Sequence, residues 1–260
     1  MKRREFLAAS CLGGLASLAN TACGQGDPSP AGKEYYELRF YRVEAGPKQA
    51  ALCDFLADAA IPALNRIGIE PVGVFLGLEE NLGGLYMLLP HPTLESVARA
   101  NTRLLSDPEF LAAGAAFLDA PKPDPAYQRI ESSLLLAFDH MPRLERPSDK
   151  PGRVFQLRRY ESHSAKKAKK KIEMFNEGGE IALFRRTGLN PVFFGEALVG
   201  SRLPNLTYML GFGDRPSLEK AWKTFLADPE WDRLKRDPQY KDTVSNITNI
   251  LLKPAECSQI

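Results

Sequence analysis

Histidine is the scarcest reactive residue in this chain. His91, His140 and His163 are the only three in 260 residues. They fall near predicted strand ends, so they make no zinc-type pair, and no predicted helix carries an axial haem ligand. Each reads as a solvated loop side chain. Cysteine is nearly as sparse, with four residues whose spacing fits neither a disulfide framework nor a metal site. Cys53 falls on an apolar helix face and Cys257 near the tail. Two unpaired thiols is the reading the spacing favours, with a bridge between them left open. An excess of one charge is also missing: 34 Lys and Arg stand against 32 Asp and Glu. That balance argues against nucleic-acid or polyanion partners. There is no phosphate loop, nucleotide fingerprint or nucleophile elbow, so no catalytic signature, metal or cofactor is expected.

What the chain does have is an internal echo. Tyr36-Glu37-Leu38-Arg39-Phe40-Tyr41 returns as Phe155-Gln156-Leu157-Arg158-Arg159-Tyr160. Gly68-Ile69-Glu70-Pro71-Val72 returns as Gly188-Leu189-Asn190-Pro191-Val192, and Tyr86-Met87-Leu88 as Tyr208-Met209-Leu210. Asp107-Pro108-Glu109-Phe110 returns as Asp228-Pro229-Glu230-Trp231. Four matches in one order, at a period of about 120 residues, mark a tandem duplication of a small domain.

Residues 1–22 read as a signal peptide. Lys2-Arg3-Arg4-Glu5-Phe6-Leu7 opens a short apolar stretch, too short to span as a mature helix. The paired arginines resemble the twin-arginine export motif, with a plain secretory signal as the alternative. The Ala22-Cys23 step resembles a lipoprotein box although Asn20 stands where Leu is expected, so a lipid anchor on Cys23 stays open. Residues 23–33 are then a flexible tether. The expected location is periplasm or cell envelope, with membrane contact only if Cys23 is lipidated.

One repeat can be read element by element. Tyr35 to Val43 alternates as a strand, with Tyr36, Leu38 and Phe40 on its apolar side. Lys48 to Ile67 carries a helical stripe ended by Gly68, where a left-handed cap is cheap. Pro62 in the first copy and Gly178-Gly179 in the second are expected to kink or split this helix. Two strands joined by a hairpin follow, then a second helix. Asp107-Pro108-Glu109 restarts the chain as a capped short helix. A Leu-rich strand from Ile130 to Phe138 closes the unit.

This strand-helix-strand-strand-helix-strand order is the ferredoxin-like unit. The expected class is α+β: two βαββαβ repeats, 34–140 and 153–256, joined by a Pro-rich linker at 141–152. They are expected to pack as an intrachain pseudo-dimeric α+β barrel. The apolar side of strand one is expected to face the helices, so Glu37, Arg39 and Tyr41 with Gln156, Arg158 and Tyr160 line a semi-polar space between two facing sheets.

Arg39, Arg158, Tyr41 and Tyr160 are therefore the main ligand-binding candidates, with Glu37 beside them. Two guanidiniums and two phenols in a partly dry cavity suit a carboxylate or enolate. The plainer reading pairs each Arg locally and uses each Tyr to close the barrel. Glu196 is a second inward candidate, with a plain edge position as the alternative; its counterpart Leu76 is apolar, so any role there would belong to one half only. The run Lys166-Lys167-Ala168-Lys169-Lys170-Lys171 reads mainly as solvated helix surface.

The Tyr-Glu-Leu-Arg-x-Tyr strand, the helix ending at Gly, the Pro-Val strand and the Asp-Pro-Glu-Trp turn together resemble the NIPSNAP domain. The resemblance covers both copies. The second has Phe155-Gln156 for Tyr-Glu, and the first has Phe110 for Trp. It implies the dimeric α+β barrel fold shared with small monooxygenases, EthD-like proteins and some haem proteins. It implies no activity. The leading expectation is an exported module binding a small ligand or a protein partner, with further homo-oligomerisation open. The alternative is a cofactor-independent enzyme, monooxygenase- or isomerase-like, acting on a small enolisable or aromatic substrate.

Overall fold

The computed structural model describes residues 32–79 and 82–260. The expected signal peptide, its export motif and the lipid anchor on Cys23 lie outside these residues. The first half runs β1(Tyr35–Arg42), α1(Pro47–Phe55), a π-helical turn (Leu56–Ala60), α2(Ile61–Arg66), β2(Gly73–Gly77), β3(Gly84–His91), α3(Leu94–Leu104), α4(Pro108–Leu118) and β4(Arg129–Ala137). The second half repeats the order with β5(Val154–Glu161), α5(Ala165–Phe175), α6(Glu180–Thr187), β6(Asn190–Val199), β7(Asn205–Phe212), α7(Arg215–Leu226), α8(Pro229–Leu234), a 3-10 turn (Pro238–Tyr240) and β8(Asn246–Pro254).

Local chemistry sets these boundaries. Asp107 caps α4 by accepting from the amides of Glu109 and Phe110, and Asp228 caps α8 by accepting from Glu230. Each cap satisfies an amide the helix leaves free. Gly68 and Gly188 end their helices with φ of 79° and 87°, a conformation a Cβ disfavours. Pro62 does not break the first helix. The widened π turn just before it absorbs the missing amide, and α2 continues. Gly178-Gly179 does separate α5 from α6, with Gly179 at φ 83°.

The eight strands close into one barrel in the order β1-β3-β2-β8-β5-β7-β6-β4. Each half contributes a four-stranded antiparallel sheet, and the halves join edge to edge. At one seam β2 pairs with β8, Phe75 opposite Pro254. At the other β4 pairs with β6, Leu136 opposite Glu196, with a bulge near Leu134. The expected barrel of two facing sheets forms in this way, and edge strands that would present unpaired amides pair with each other.

Both sides of the sheet are buried, and the faces are opposite to those expected. Tyr36 and Leu38 point into the barrel with Phe75, Leu88, Leu135, Phe155, Leu157, Phe193, Met209 and Leu252. Tyr41 packs outward beneath α1 and α2, and Tyr160 beneath α5 and α6. The interior is crossed by aromatic contacts between the halves, Phe75 with Phe155 at 4.9 Å and Tyr36 with Phe193 at 5.1 Å. Burying each such ring contributes roughly 1.5–3 kcal/mol.

One end of the barrel is sealed. The tail after β8 runs along β2, where Ala255 and Gln259 donate to the carbonyls of Val74 and Val72, both at 2.9 Å. Ile260 is buried in the interior cluster. Leu144 of the linker packs there too, its amide donating to Glu34 at 2.7 Å. The opposite end stays open.

The inner wall has no room to spare at Gly195, where a Cβ would lie 2.7 Å from that of Leu135. Gly195→Ala is expected to lower unfolding free energy by about 1–3 kcal/mol through overpacking, measured by urea denaturation.

Candidate functional site

Three polar clusters compete for the role of site. The first lies under the helices of the first half. Arg39 grips Glu37 with both arms of its fork, Nε to Oε1 at 2.7 Å and Nη2 to Oε2 at 2.8 Å. Ser132 donates to the same carboxylate at 2.8 Å. His91 is fully buried at the end of β3, with Nδ1 2.9 Å from the Ser96 hydroxyl and Nε2 3.8 Å from Glu37. Burial alone would raise the Glu37 pKa, but Arg39 and Ser132 outweigh it and hold the carboxyl below its usual range. Burial also drives the His91 pKa down to about 4, only partly opposed by Glu37. His91 is thus a neutral core residue rather than a solvated loop side chain, whereas His140 and His163 are exposed. This bidentate pair engages Nε and Nη2 of Arg39 and offsets its charge with a carboxylate of its own half.

The second cluster lies under the helices of the second half. The Arg158 guanidinium stacks over Trp222 at 4.6 Å and Tyr160 at 5.4 Å. Tyr208 donates to the Tyr160 hydroxyl at 3.0 Å. Gln156 accepts from the Trp222 indole at 2.7 Å. Beside them Lys171 meets Glu180 at 2.6 Å, both nearly sealed from solvent, with the ammonium 4.4 Å from the centre of the Phe175 ring. Burial pushes the Glu180 carboxyl up although Lys171 opposes it. Lys171 is therefore a buried ion-pair partner, unlike the solvated surface its lysine run suggested.

These positions correct the expected site. Glu37, Arg39, Tyr41, Gln156, Arg158 and Tyr160 sit between sheet and helices rather than in the barrel, and the structure divides them between two separate clusters. Glu196 is exposed on the outer side of β6, because a strand has only two faces and Gly195 beside it points in.

The third cluster is the barrel's open mouth, a cavity of about 580 Å³. Leu38, Phe40 and Tyr86 line it with Arg42, Arg159, Arg202, Glu131, Thr248 and neighbouring serines. The register shows how the halves differ here. Phe40 on β1 lies between Tyr86 and Glu131. At the matching place, Arg159 on β5 lies between Thr207 and Thr248. The first half thus supplies two rings, 4.8 Å apart, and the second half a guanidinium.

Charge at the mouth is unevenly paired. Arg42 meets Glu131 at 2.8 Å and Arg202 meets Glu161 at 3.2 Å. Arg159 makes no ion pair with a carboxylate among the described residues. Burial raises the Tyr86 pKa, while the positive charge of Arg159 draws it back. A half-buried guanidinium beside two aromatic rings suits a small anion with a flat apolar body. The sequence carried a clue to this surface: Arg159 breaks the repeat where the first copy has Phe40.

Comparison with known proteins supports the architecture. Residues 155–259, within the second half, match the NIPSNAP family model. No curated protein sequence matches the chain. A candidate monooxygenase from Fusobacterium nucleatum superposes with a TM-score of 0.57 at 10% identity, covering 86% of this chain and 94% of that one. Another from Lactobacillus acidophilus gives 0.55 at 7% identity, covering 85% and 94%. A NIPSNAP-like domain protein from Burkholderia xenovorans gives 0.37 at 20% identity, covering 41% and 88%. At such identities the likeness concerns the fold. Mixed α+β barrels of this kind are dimeric α+β barrels, and here one chain closes the barrel.

Two predictions follow from the clusters under the helices. A histidine with a depressed folded pKa leaves the native state short of a proton that the unfolded chain binds. Stability associated with His91 is therefore full above pH ~6.5 and is lost as pH falls toward about 4. His91→Asn should remove up to ~3 kcal/mol of that acid-side loss, read as the difference between wild-type and variant urea midpoints across the range. Lys171→Met should cost about 3–5 kcal/mol by stranding Glu180, and adding Glu180→Leu should restore most of it, as measured by thermal unfolding.

Proposed function

We propose that this chain binds a small amphiphilic anion in the barrel mouth, a carboxylate or enolate carried on an aromatic or other flat apolar body. The observation that carries this reading is Arg159, without a carboxylate partner among the described residues, facing the Phe40 and Tyr86 rings across a cavity of about 580 Å³. Arg159 takes the head group and the rings take the body. The paired Arg42 and Arg202 frame the entrance.

Residues 34–140 act in this reading as a second, diverged NIPSNAP unit, supported by the repeated motifs and by the same element order in both halves. The binding takes place in the cell envelope, an assignment supported by the Lys2-Arg3-Arg4-Glu5-Phe6-Leu7 opening.

A second reading has one observation in its favour: the Tyr86 phenol shares the mouth with Arg159, as a proton donor beside an enolate would. On that reading the mouth is a cofactor-independent active site, and the monooxygenase names borne by two barrels of like fold agree with it.

Titration calorimetry with cinnamate and phenylacetate, against their neutral amides, tests the binding. The carboxylates should bind and the amides should not. Arg159→Gln should weaken carboxylate binding about 10–100-fold, the worth of a charge-assisted hydrogen bond. Carboxylate binding unchanged in Arg159→Gln but lost in Arg39→Gln would move the site under the helices and overturn the proposal. Conversion of either compound during incubation, followed by mass spectrometry, would favour the enzyme.

A further inference from the structure

We propose that the groove between α1 and α4 binds a small organic cation, an ammonium carried on an aromatic or other flat apolar body. The groove lies on the helical side of the first half and shares no residue with the barrel mouth or with the clusters described above. It is a cavity of about 380 Å³, and Phe55 of α1 and Phe117 of α4 form its floor. The two rings lie flat against each other, with centroids 4.1 Å apart and planes within 9°.

Small side chains keep this space open. Gly114 is buried where α4 meets Phe55, and a Cβ there would lie 2.8 Å from that ring. Ala51 of α1 and Ala113 and Ala116 of α4 line the walls, and a methyl group is too short to cross from one helix to the other. A cleft left unfilled forfeits the contacts that larger side chains would make. An apolar floor with a few polar groups at its edge is the usual build of a small-molecule site.

The charge at the edge is negative and only partly matched. Asp124 is met by Lys48 at 2.5 Å. Asp54 and Asp58, one turn apart on the same wall, make no ion pair or side-chain hydrogen bond among the described residues. The repeat shows that this belongs to one half. By the offset that sets Tyr36 against Phe155, Asp54 answers to Glu173 and Ala51 to Lys170. In the second half Lys170 holds Glu173 at 2.6 Å. In the first half an alanine stands in place of that lysine, and the Asp54 charge is left for a partner from outside. The two carboxylates take the ammonium and the two rings take the apolar body, which also gains from a cation near an aromatic face. Both acids are exposed, so their share of the affinity is modest and falls with salt.

Titration calorimetry on the full chain with phenethylamine, against the neutral phenethyl alcohol, tests the proposal. At low salt the amine should bind about 5–10-fold more tightly than the alcohol, and about 0.5 M sodium chloride should remove most of that difference. Asp54→Asn combined with Asp58→Asn should bring the amine down to the affinity of the alcohol. Ala116→Trp, which fills the groove from an exposed helix position, should abolish binding of both. Thermal unfolding near the wild-type midpoint shows that each variant is folded. Amine binding that survives Ala116→Trp would overturn the proposal. So would equal affinity for amine and alcohol in the unaltered chain, or binding of neither at millimolar concentration.

Discussion

Everything in this molecule depends on the two seams where the halves meet. A four-stranded ferredoxin-like sheet leaves two edges with unpaired amides and carbonyls. Here β2 takes β8 and β4 takes β6, so the edges of one half satisfy those of the other. Pairing on both sides forces the sheets into one closed wall. The interior of that wall is then small enough for Tyr36, Phe75, Phe155 and Phe193 to fill at its sealed end.

Closure has an electrostatic consequence. Away from the mouth the helices cover the outer face of β1 and β5, so Glu37, Arg39 and Arg158 have little access to bulk water. Glu37 and Arg39 answer by pairing with each other, and Arg158 by stacking on rings. The halves diverge in how they do this. Lys171 and Glu180 form a buried pair in the second half. Counting back by the repeat period of about 120 residues, the first half has fully buried Leu52 near the place of Lys171. A buried pair of this sort adds little net stability over an apolar contact, but it penalises any arrangement that separates its members.

Much of the fold could be read from the residues, because capping and hydrophobic period are local. Asp107, Asp228, Gly68 and Gly188 stand where their chemistry places them. The orientation of β1 could not be read the same way. Alternation tells which residues share a face and leaves open which face meets the helices. Tyr36-Leu38-Phe40 and Leu85-Met87-Leu89 each look like a helix-facing set, yet the register of β1 against β3 puts them on opposite sides. That choice of face carried Arg39 and Arg158 with it, and so misplaced the candidate site. The small residues held the missing information. At Gly195 and Gly211 side-chain carbon lies within 2.7 Å of where a Cβ would sit, as a crowded barrel interior requires. His91 was harder still, since its burial comes from β3 pairing on to Tyr35 beyond the expected strand end.

The mouth holds a further consequence. A barrel closed by two identical chains has a two-fold axis down its centre, so any ligand there meets the same surroundings in either of two poses. In this chain Phe40 faces the place where symmetry would put another Phe, and finds Arg159. The axis is gone. A ligand entering the mouth has one preferred heading, and the two faces of a flat molecule lie against different walls. A mouth built from two unlike halves thus holds its ligand in one orientation, where a two-fold site would accept two equivalent ones.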